Sequence, residues 1–199
     1  MTCSVLVIAS GNAGKLREFS GLLAHLDLEI RPQPQGLEVE ETGLTFAANA
    51  RLKAEAVARA TGHWALADDS GLSVAALGGA PGVQSARYAD SDAARIARLL
   101  RELEGASSRE AQFTAALALA NPSGEVVLEV EGCCPGTILE APQGAGGFGY
   151  DPVFFVPEAA CTFAEMPASL KAALGHRGRA FAALQPQLEA LLAQAQDRQ

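Results

Sequence analysis

The sequence predicts an α/β domain, and three observations carry that prediction. An apolar run rich in β-branched residues opens the chain and empties through a glycine-containing loop into a segment with helical apolar spacing. Strand-like and helix-like segments then alternate as far as residue 105. Beyond it, two long apolar runs flank the turn Asn121-Pro122-Ser123-Gly124, the signature of an antiparallel hairpin.

In chain order, Cys3 to Ala9 reads as a central strand and Ser10 to Gly14 as a tight loop. Leu16, Phe19, Leu23 and Leu26 follow at helical spacing. A short strand is expected near Leu28 to Arg31. Thr45 fits the N-cap of a second helix with Phe46, Ala50, Ala54 and Val57 as its apolar stripe, and Thr61-Gly62 ends it. Trp64 to Ala67 reads as a buried strand running into Asp68-Asp69-Ser70-Gly71. Leu72 to Leu77 continues it up to the turn at Gly78 to Gly82. A third helix starts near Ser91 and buries Ile96, Leu99, Leu100 and Leu103, with Gly105 past its end. After the hairpin, strands are expected at Thr137 to Leu139 and Val153 to Val156, on either side of the loop Gly144 to Pro152. Thr162 and Glu165 fit a capping box. Helical segments follow from about Pro167 to Leu174 and from Phe181 to Ala195, the latter interrupted at Pro186.

Composition bounds the function. The 199 residues suit one domain spanning 1–199, with room for two lobes but no linker separating independent domains. Hydrophobic residues make up 49% and charged residues 19%, which excludes a disordered chain and supports a sizeable core. A net charge of −8 argues against duplex nucleic acid or an anionic membrane as partner, because phosphate backbones demand a basic stripe. It leaves room for a small anion gripped by a few focused cations. Apolar runs fall short of the roughly 20 residues that span a bilayer, and the N-terminal run reads as a strand rather than a signal peptide. Cys3, Cys133, Cys134 and Cys161 lack zinc-ligand spacing and read as reduced thiols of a cytoplasmic protein.

Lysine is scarce: Lys15, Lys53 and Lys171 are three of 15 basic residues. In a chain that otherwise uses arginine, lysine marks places needing a compact point charge, or else ordinary solvated surface. The loop Ser10-Gly11-Asn12-Ala13-Gly14-Lys15 lets backbone N–H groups approach an anion at a helix N-terminus. It is not a Walker A loop, since Ala9 and Leu16 stand where that motif needs Gly and Ser or Thr. Alone, it fits a phosphate cradle or a plain strand-to-helix turn. Asp68-Asp69 at a strand end would repel one another unless a cation compensates. A hard divalent ion such as Mg²⁺ would do so, with Glu41 completing the set, and a turn with an Asp cap is the other reading. The loop Gly144 to Asp151 carries Phe148 and Tyr150 and could fit around a flat ring, or serve as a surface loop with anchoring aromatics. His176-Arg177 offers donors beyond the helix stop expected at Gly175, or else a satisfied histidine at a helix end.

Six segments in one order resemble the inosine triphosphate pyrophosphatase family. They are Ser10-Gly-Asn-Ala-Gly-Lys15, Glu41-Thr-Gly-Leu-Thr-Phe46 with Asn49 and Lys53, and Ala67-Asp-Asp-Ser-Gly71. The others are Gly78-Gly-Ala-Pro-Gly82 with Ser85-Ala-Arg-Tyr88, Gly146-Gly-Phe-Gly-Tyr-Asp-Pro152, and Lys171 with His176-Arg177. The resemblance implies a mixed twisted sheet with flanking helices, two lobes around a central nucleotide cleft, a cytoplasmic homodimer and a Mg²⁺ cofactor. It implies cleavage of ITP, dITP and XTP to the monophosphate and pyrophosphate, with a purine nucleoside triphosphate as the small-molecule substrate. Carried over by position, Ser10, Gly11, Asn12, Ala13, Gly14 and Lys15 would hold the triphosphate together with Lys53. Glu41 and Asp69 would bind Mg²⁺, and Asp69 would also be the catalytic base. Ser70 would touch the nucleotide, and Phe148, Gly149, Tyr150, Asp151, Lys171, His176 and Arg177 would surround the base. The chain departs from the family pattern at Ala145, often Thr, and at Gly175, often Ser. A phosphohydrolase of other nucleotides, a non-catalytic nucleotide sensor and a structural dimerisation module are the competing readings.

Overall fold

The computed structural model describes residues 4–196. Cys3, expected in the first strand and among the reduced thiols, lies outside them. Seven strands are described, β1 (Ser4–Ala9), β2 (Leu28–Pro32), β3 (Trp64–Val74), β4 (Glu110–Ala120), β5 (Val126–Ile138), β6 (Phe154–Val156) and β7 (Cys161–Thr162). They form one sheet in the order β2-β1-β3-β4-β5-β6-β7. β1 is parallel to β2 and β3, whereas β6 is antiparallel to β5 and β7, so the sheet is mixed. The helices are α1 (Ala13–Leu23), α2 (Phe46–Thr61), α3 (Asp92–Glu102), α4 (Ala168–Leu174) and α5 (His176–Gln196). None of the described helices is long and apolar enough to cross a membrane.

The chain divides into two compact units. The first comprises Met1–Asp69, Ala115–Gly132 and Arg177–Gln199; the second comprises Ser70–Thr114 and Cys133–His176. In the first unit, strand alternation builds two different cores. Leu6, Ile8, Leu66, Leu117 and Leu119 share a face with Phe19 and Leu23 of α1 and with Phe181, Leu184 and Leu188 of α5. The intervening residues Val7, Ala9, Ala65, Ala67, Ala116, Ala118 and Ala120 meet Ala50, Ala54, Val57 and Ala58 of α2. One side of the sheet is therefore large-residue packing and the other is alanine against alanine. Small side chains let α2 approach the sheet closely, which later brings its polar residues within reach of β3.

The local signals at the helix ends hold. Thr45 accepts from the Ala48 N–H (3.1 Å), and Gly62 closes α2 in the left-handed region at φ 66°. Ser91 likewise accepts from the Ala94 N–H at the start of α3.

The second unit packs Leu72, Val74, Phe113, Phe154 and Phe163 with Ile96, Leu99 and Leu103 of α3. Four sequence expectations need correction. The segment 64–67 does not end before the aspartates: β3 runs unbroken through them. The expected strand at 137–139 is the far end of β5. Thr162 and Glu165 do bond, the Thr162 N–H donating to Oε2 at 2.9 Å, but they close a turn, and the helix that follows begins at Ala168. Finally, α5 starts at His176 and passes through Pro186 without a break. Pro186 is exposed, so the carbonyl it deprives of a donor can be served by water.

Candidate active site

In the first unit the site follows from register. Ala9 of β1 lies opposite Ala67 of β3 in a parallel pair, so the loop after β1 and the residues after Ala67 emerge side by side. Ligands of α/β sheets gather at such carboxyl ends. Alternation along β3 then sends its two aspartates to opposite faces. Asp68 shares the face of Leu66 and meets α1 and α5; Asp69 shares the face of Ala67 and meets α2. The mutual repulsion expected of adjacent carboxylates is thus relieved by separation, and each is compensated on its own side.

Asp68 is fully buried. Its Oδ2 accepts from Lys15 Nζ at 2.8 Å and from Arg177 Nε at 3.3 Å, and Arg177 also donates to Glu18 Oε2 at 2.9 Å. Burial alone would raise the Asp68 pKa, but the Lys15 and Arg177 charges overcome it and hold the carboxyl well below the usual carboxylate range. Burial pulls the Lys15 ammonium below its ordinary value, with Arg177 and Lys53 adding to the effect and Asp68 opposing it.

Asp69 belongs to a second group. Lys53 Nζ donates to Glu41 Oε1 (2.7 Å), to the Asp68 carbonyl (2.9 Å) and to Asp69 Oδ1 (3.4 Å). Burial raises the Asp69 pKa, and the nearby Glu41 adds to that, against the opposing charges of Lys53 and Lys15. The two groups are joined through one atom: the Asp68 carbonyl oxygen also accepts from Lys15 Nζ at 3.3 Å. Lys15, Lys53, Asp68, Asp69 and Glu41 therefore form one cluster, its aspartates buried and its other members half-buried, and two ammonium groups converge on a single carbonyl.

The loop Ser10 to Lys15 is ordered from within. The Asn12 N–H donates to Ser10 Oγ (3.1 Å), and Asn12 Oδ1 caps α1 by accepting from the N–H groups of Gly14 (2.8 Å) and Lys15 (3.2 Å). Those two N–H groups, expected to face an anion, are held by Asn12. The Lys15 ammonium makes two of its three possible donations to Asp68.

Glu41 and Asp69 have the right chemistry for a hard cation. One ammonium reaches both carboxylates, so they converge on a common point, and oxygen donors suit Mg²⁺. Among the described residues no group of three His, Cys, Asp or Glu converges in this way. A cation here would rest on two carboxylates and take its other ligands from water or substrate oxygens.

The second unit carries a separate group. Asp151 is buried, and its Oδ2 accepts from Lys171 Nζ (2.7 Å) and from the Phe148 N–H (2.9 Å). Gly147 makes this possible: its φ is +73°, and a Cβ there would stand 2.0 Å from Asp151 Oδ2. Lys171 Nζ lies 5.1 Å from the Phe148 ring centroid and 5.2 Å from that of Phe163. The buried His176 ring stacks on Phe113 (4.7 Å, 14°) and on Phe163 (5.8 Å, 25°). The Gly149 N–H donates to Asp92 Oδ2 (2.7 Å), and the Tyr150 hydroxyl donates to the Ser85 carbonyl (2.9 Å). Burial raises the Tyr150 pKa and keeps the hydroxyl a donor. Gly175 ends α4 by donating its N–H to the Lys171 carbonyl (2.8 Å), so α5 begins directly at His176.

The expected site residues thus fall into two groups. Ser10 to Lys15, Glu41, Lys53, Asp69 and Arg177 belong to the first unit; Ser70, half-buried in β3, belongs to the second with Phe148 to Asp151, Lys171 and His176. His176 and Arg177 were expected to act as a pair, yet the guanidinium of Arg177 is engaged by Asp68 and Glu18, while the His176 ring joins the aromatic stack. Sequence reading missed Glu18, Asp92, Phe113 and Phe163. Glu18 carries a signal in retrospect, lying three residues after Lys15 on the same helix face.

Fold and clusters together define a class: α/β proteins that gather cations and carboxylates at the carboxyl ends of parallel strands to hold an anionic ligand. Within that class, the Ham1 family model matches residues 6–187, and the chain belongs to the Ham1 family. Among similar proteins, one from Synechococcus sp. named dITP/XTP pyrophosphatase is 64% identical over 96% of this chain and 93% of its own. One of the same name from Nostoc sp. is 57% identical over 94% of this chain and 96% of its own. A solved structure of a HAM1 protein from Coxiella burnetii superposes with a TM-score of 0.85 at 43% identity, covering 94% of this chain and 99% of that one. The Staphylococcus aureus Ham1 protein does so at 0.83 and 40% identity, with the same coverages.

Proposed function

We propose that the chain hydrolyses non-standard purine nucleoside triphosphates (ITP, dITP and XTP) to the monophosphate and pyrophosphate, and so clears them from the nucleotide pool. The observation that carries this reading is the convergence of Lys15 and Lys53 on one carbonyl beside Asp69 and Glu41. A polyphosphate tail needs several cations at one point, and this chain commits two of its three lysines there. The names of its relatives agree with it.

In this reading Lys15, Lys53 and the loop Ser10 to Gly14 bind the triphosphate and bring the α-phosphorus to Asp69. Glu41 and Asp69 hold Mg²⁺, which supplies charge neutralisation of the phosphoryl oxygens. Asp69 orients a water and takes its proton as the water oxygen bonds to the α-phosphorus. A carboxylate whose pKa burial has raised is the better base for this step. The bond to the bridging oxygen breaks, and pyrophosphate leaves with its charge met by the two ammonium groups.

The group of the second unit takes the base. Phe148 offers a ring face, Lys171 and His176 offer donors, and Ser70 and the backbone of Gly149 and Tyr150 are the further groups of this unit assigned to the nucleotide. Hypoxanthine and xanthine present a 6-oxo acceptor to such donors. Adenine would present its amino donor instead, and a donor left unpaired costs about 1–3 kcal/mol. Arg177 contributes through Asp68 and Glu18, which hold its guanidinium. The chain works as one catalytic domain over 1–199 and, by the family resemblance, as a cytoplasmic homodimer.

The deciding measurement is pyrophosphate release from ITP, dITP, XTP, GTP and ATP with and without Mg²⁺. Pyrophosphate from the 6-oxo non-standard substrates, dependent on the metal, is the expected result. Orthophosphate as product, or ATP as preferred substrate, overturns the reading; saturable ITP binding without turnover makes the chain a sensor.

A further inference from the structure

We propose that Asn49 is a positioning residue for the cation site: its buried side chain ties the Glu41 segment to α2, the helix whose Lys53 reaches both Glu41 and Asp69, and so fixes the spacing of the two carboxylates. This rests on the reading of Glu41 and Asp69 as cation ligands.

The need for such a tie comes from the secondary structure. Asp69 is fixed by β3 and Lys53 by α2, but Glu41 stands in a segment, residues 38–43, with no regular structure. No ladder of backbone hydrogen bonds sets its distance from Asp69. Asn49 lies one helical turn before Lys53 on α2 and is 0% exposed. Its Oδ1 accepts from the Gly43 N–H at 2.7 Å, two residues beyond Glu41. Because that partner is a donor, the oxygen must face Gly43, and the amide nitrogen is turned the other way.

The contact leaves no slack. A Cβ on Gly43 would stand 2.6 Å from Asn49 Oδ1 and 2.7 Å from Ala48 Cβ, so only glycine lets the segment seat against the helix. Position 49 needs an acceptor toward Gly43. Aspartate supplies one, and an aliphatic residue does not.

The test reads Mn²⁺ binding to the substrate-free chain by titration calorimetry, with hydrogen exchange at the Gly43 amide. Asn49→Ala removes the tie from the helix side. Gly43→Ala breaks it from the loop side with Asn49 intact, which keeps the test decisive if one variant folds poorly. Both are expected to weaken Mn²⁺ binding about 10- to 100-fold, the usual cost of losing a group that orients a metal ligand. Both should also strip the Gly43 amide of protection. Asn49→Asp keeps the acceptor and is expected to keep that protection. Mn²⁺ affinity within twofold of the parent in Asn49→Ala and Gly43→Ala, or an unprotected Gly43 amide in Asn49→Asp, overturns the proposal. If Asp69→Asn itself binds Mn²⁺ as the parent does, the cation reading fails and the proposal falls with it.

Discussion

The two groups of site residues solve different problems with different materials. In the first unit, five charged side chains stand together: Lys15, Lys53, Asp68, Asp69 and Glu41 are linked through ion pairs and one shared carbonyl. In the second, the ion pair of Lys171 with Asp151 sits among Phe113, Phe148, Phe163 and His176. A polyanion is gripped by charge, and a flat base by rings and a few donors. Burial raises the stakes in both, because a buried charge without compensation is costly. The first group meets that cost by dividing two adjacent aspartates between sheet faces. The second meets it by giving Asp151 a backbone N–H as well as an ammonium.

If this division of labour is right, substitutions in the first group should act on turnover and those in the second on nucleotide affinity and choice. The largest effect belongs to Asp69→Asn, which keeps the shape but removes the base. Its kcat for ITP at saturating Mg²⁺ should fall about 10²- to 10⁴-fold; turnover near that of the parent would remove Asp69 from the chemistry. Next comes Lys15→Met. Losing one charge-assisted contact to phosphate should lower kcat/KM about 10- to 100-fold. The same change strips Asp68 of a buried partner, and urea denaturation should register a loss of about 3–5 kcal/mol.

Phe148→Ala tests the other side of the comparison. Loss of a stacking face should raise KM for ITP about tenfold and leave kcat nearly unchanged. A fall in kcat with KM unmoved would mean that the ring serves the chemistry rather than the base. The smallest effect is expected from Asp92→Ala, which frees the Gly149 N–H from a half-exposed carboxylate. Such a contact contributes up to about 1 kcal/mol, so KM should rise no more than about fivefold, while Tm stays within a few degrees.

Much of this was legible in residue order. The capped starts of α2 and α3, the glycine that closes α2 and the hairpin turn at 121–124 are local matters, and local signals found them. The motif segments also named the residues proposed here for the site. The aspartate pair shows where local reading stopped. Polar residues at 68 and 69 read locally as the end of a strand, whereas β3 continues through them and its alternation separates the two carboxylates. α5 is a similar case, since Pro186 signals a break and its exposed position removes the need for one.

By itself, then, residue order determined the class of fold, the kinds of groups available for binding and the family to which they belong, because propensity, capping and motif spacing act within a few residues. Only the tertiary structure decided which partners those groups take. Asp68 meets Lys15 and Arg177, Asp69 meets Lys53, and His176 parts from Arg177 to join a stack of rings. Those choices depend on strand register and on which helix covers which sheet face, and packing sets both across separations as large as the 159 positions between Glu18 and Arg177.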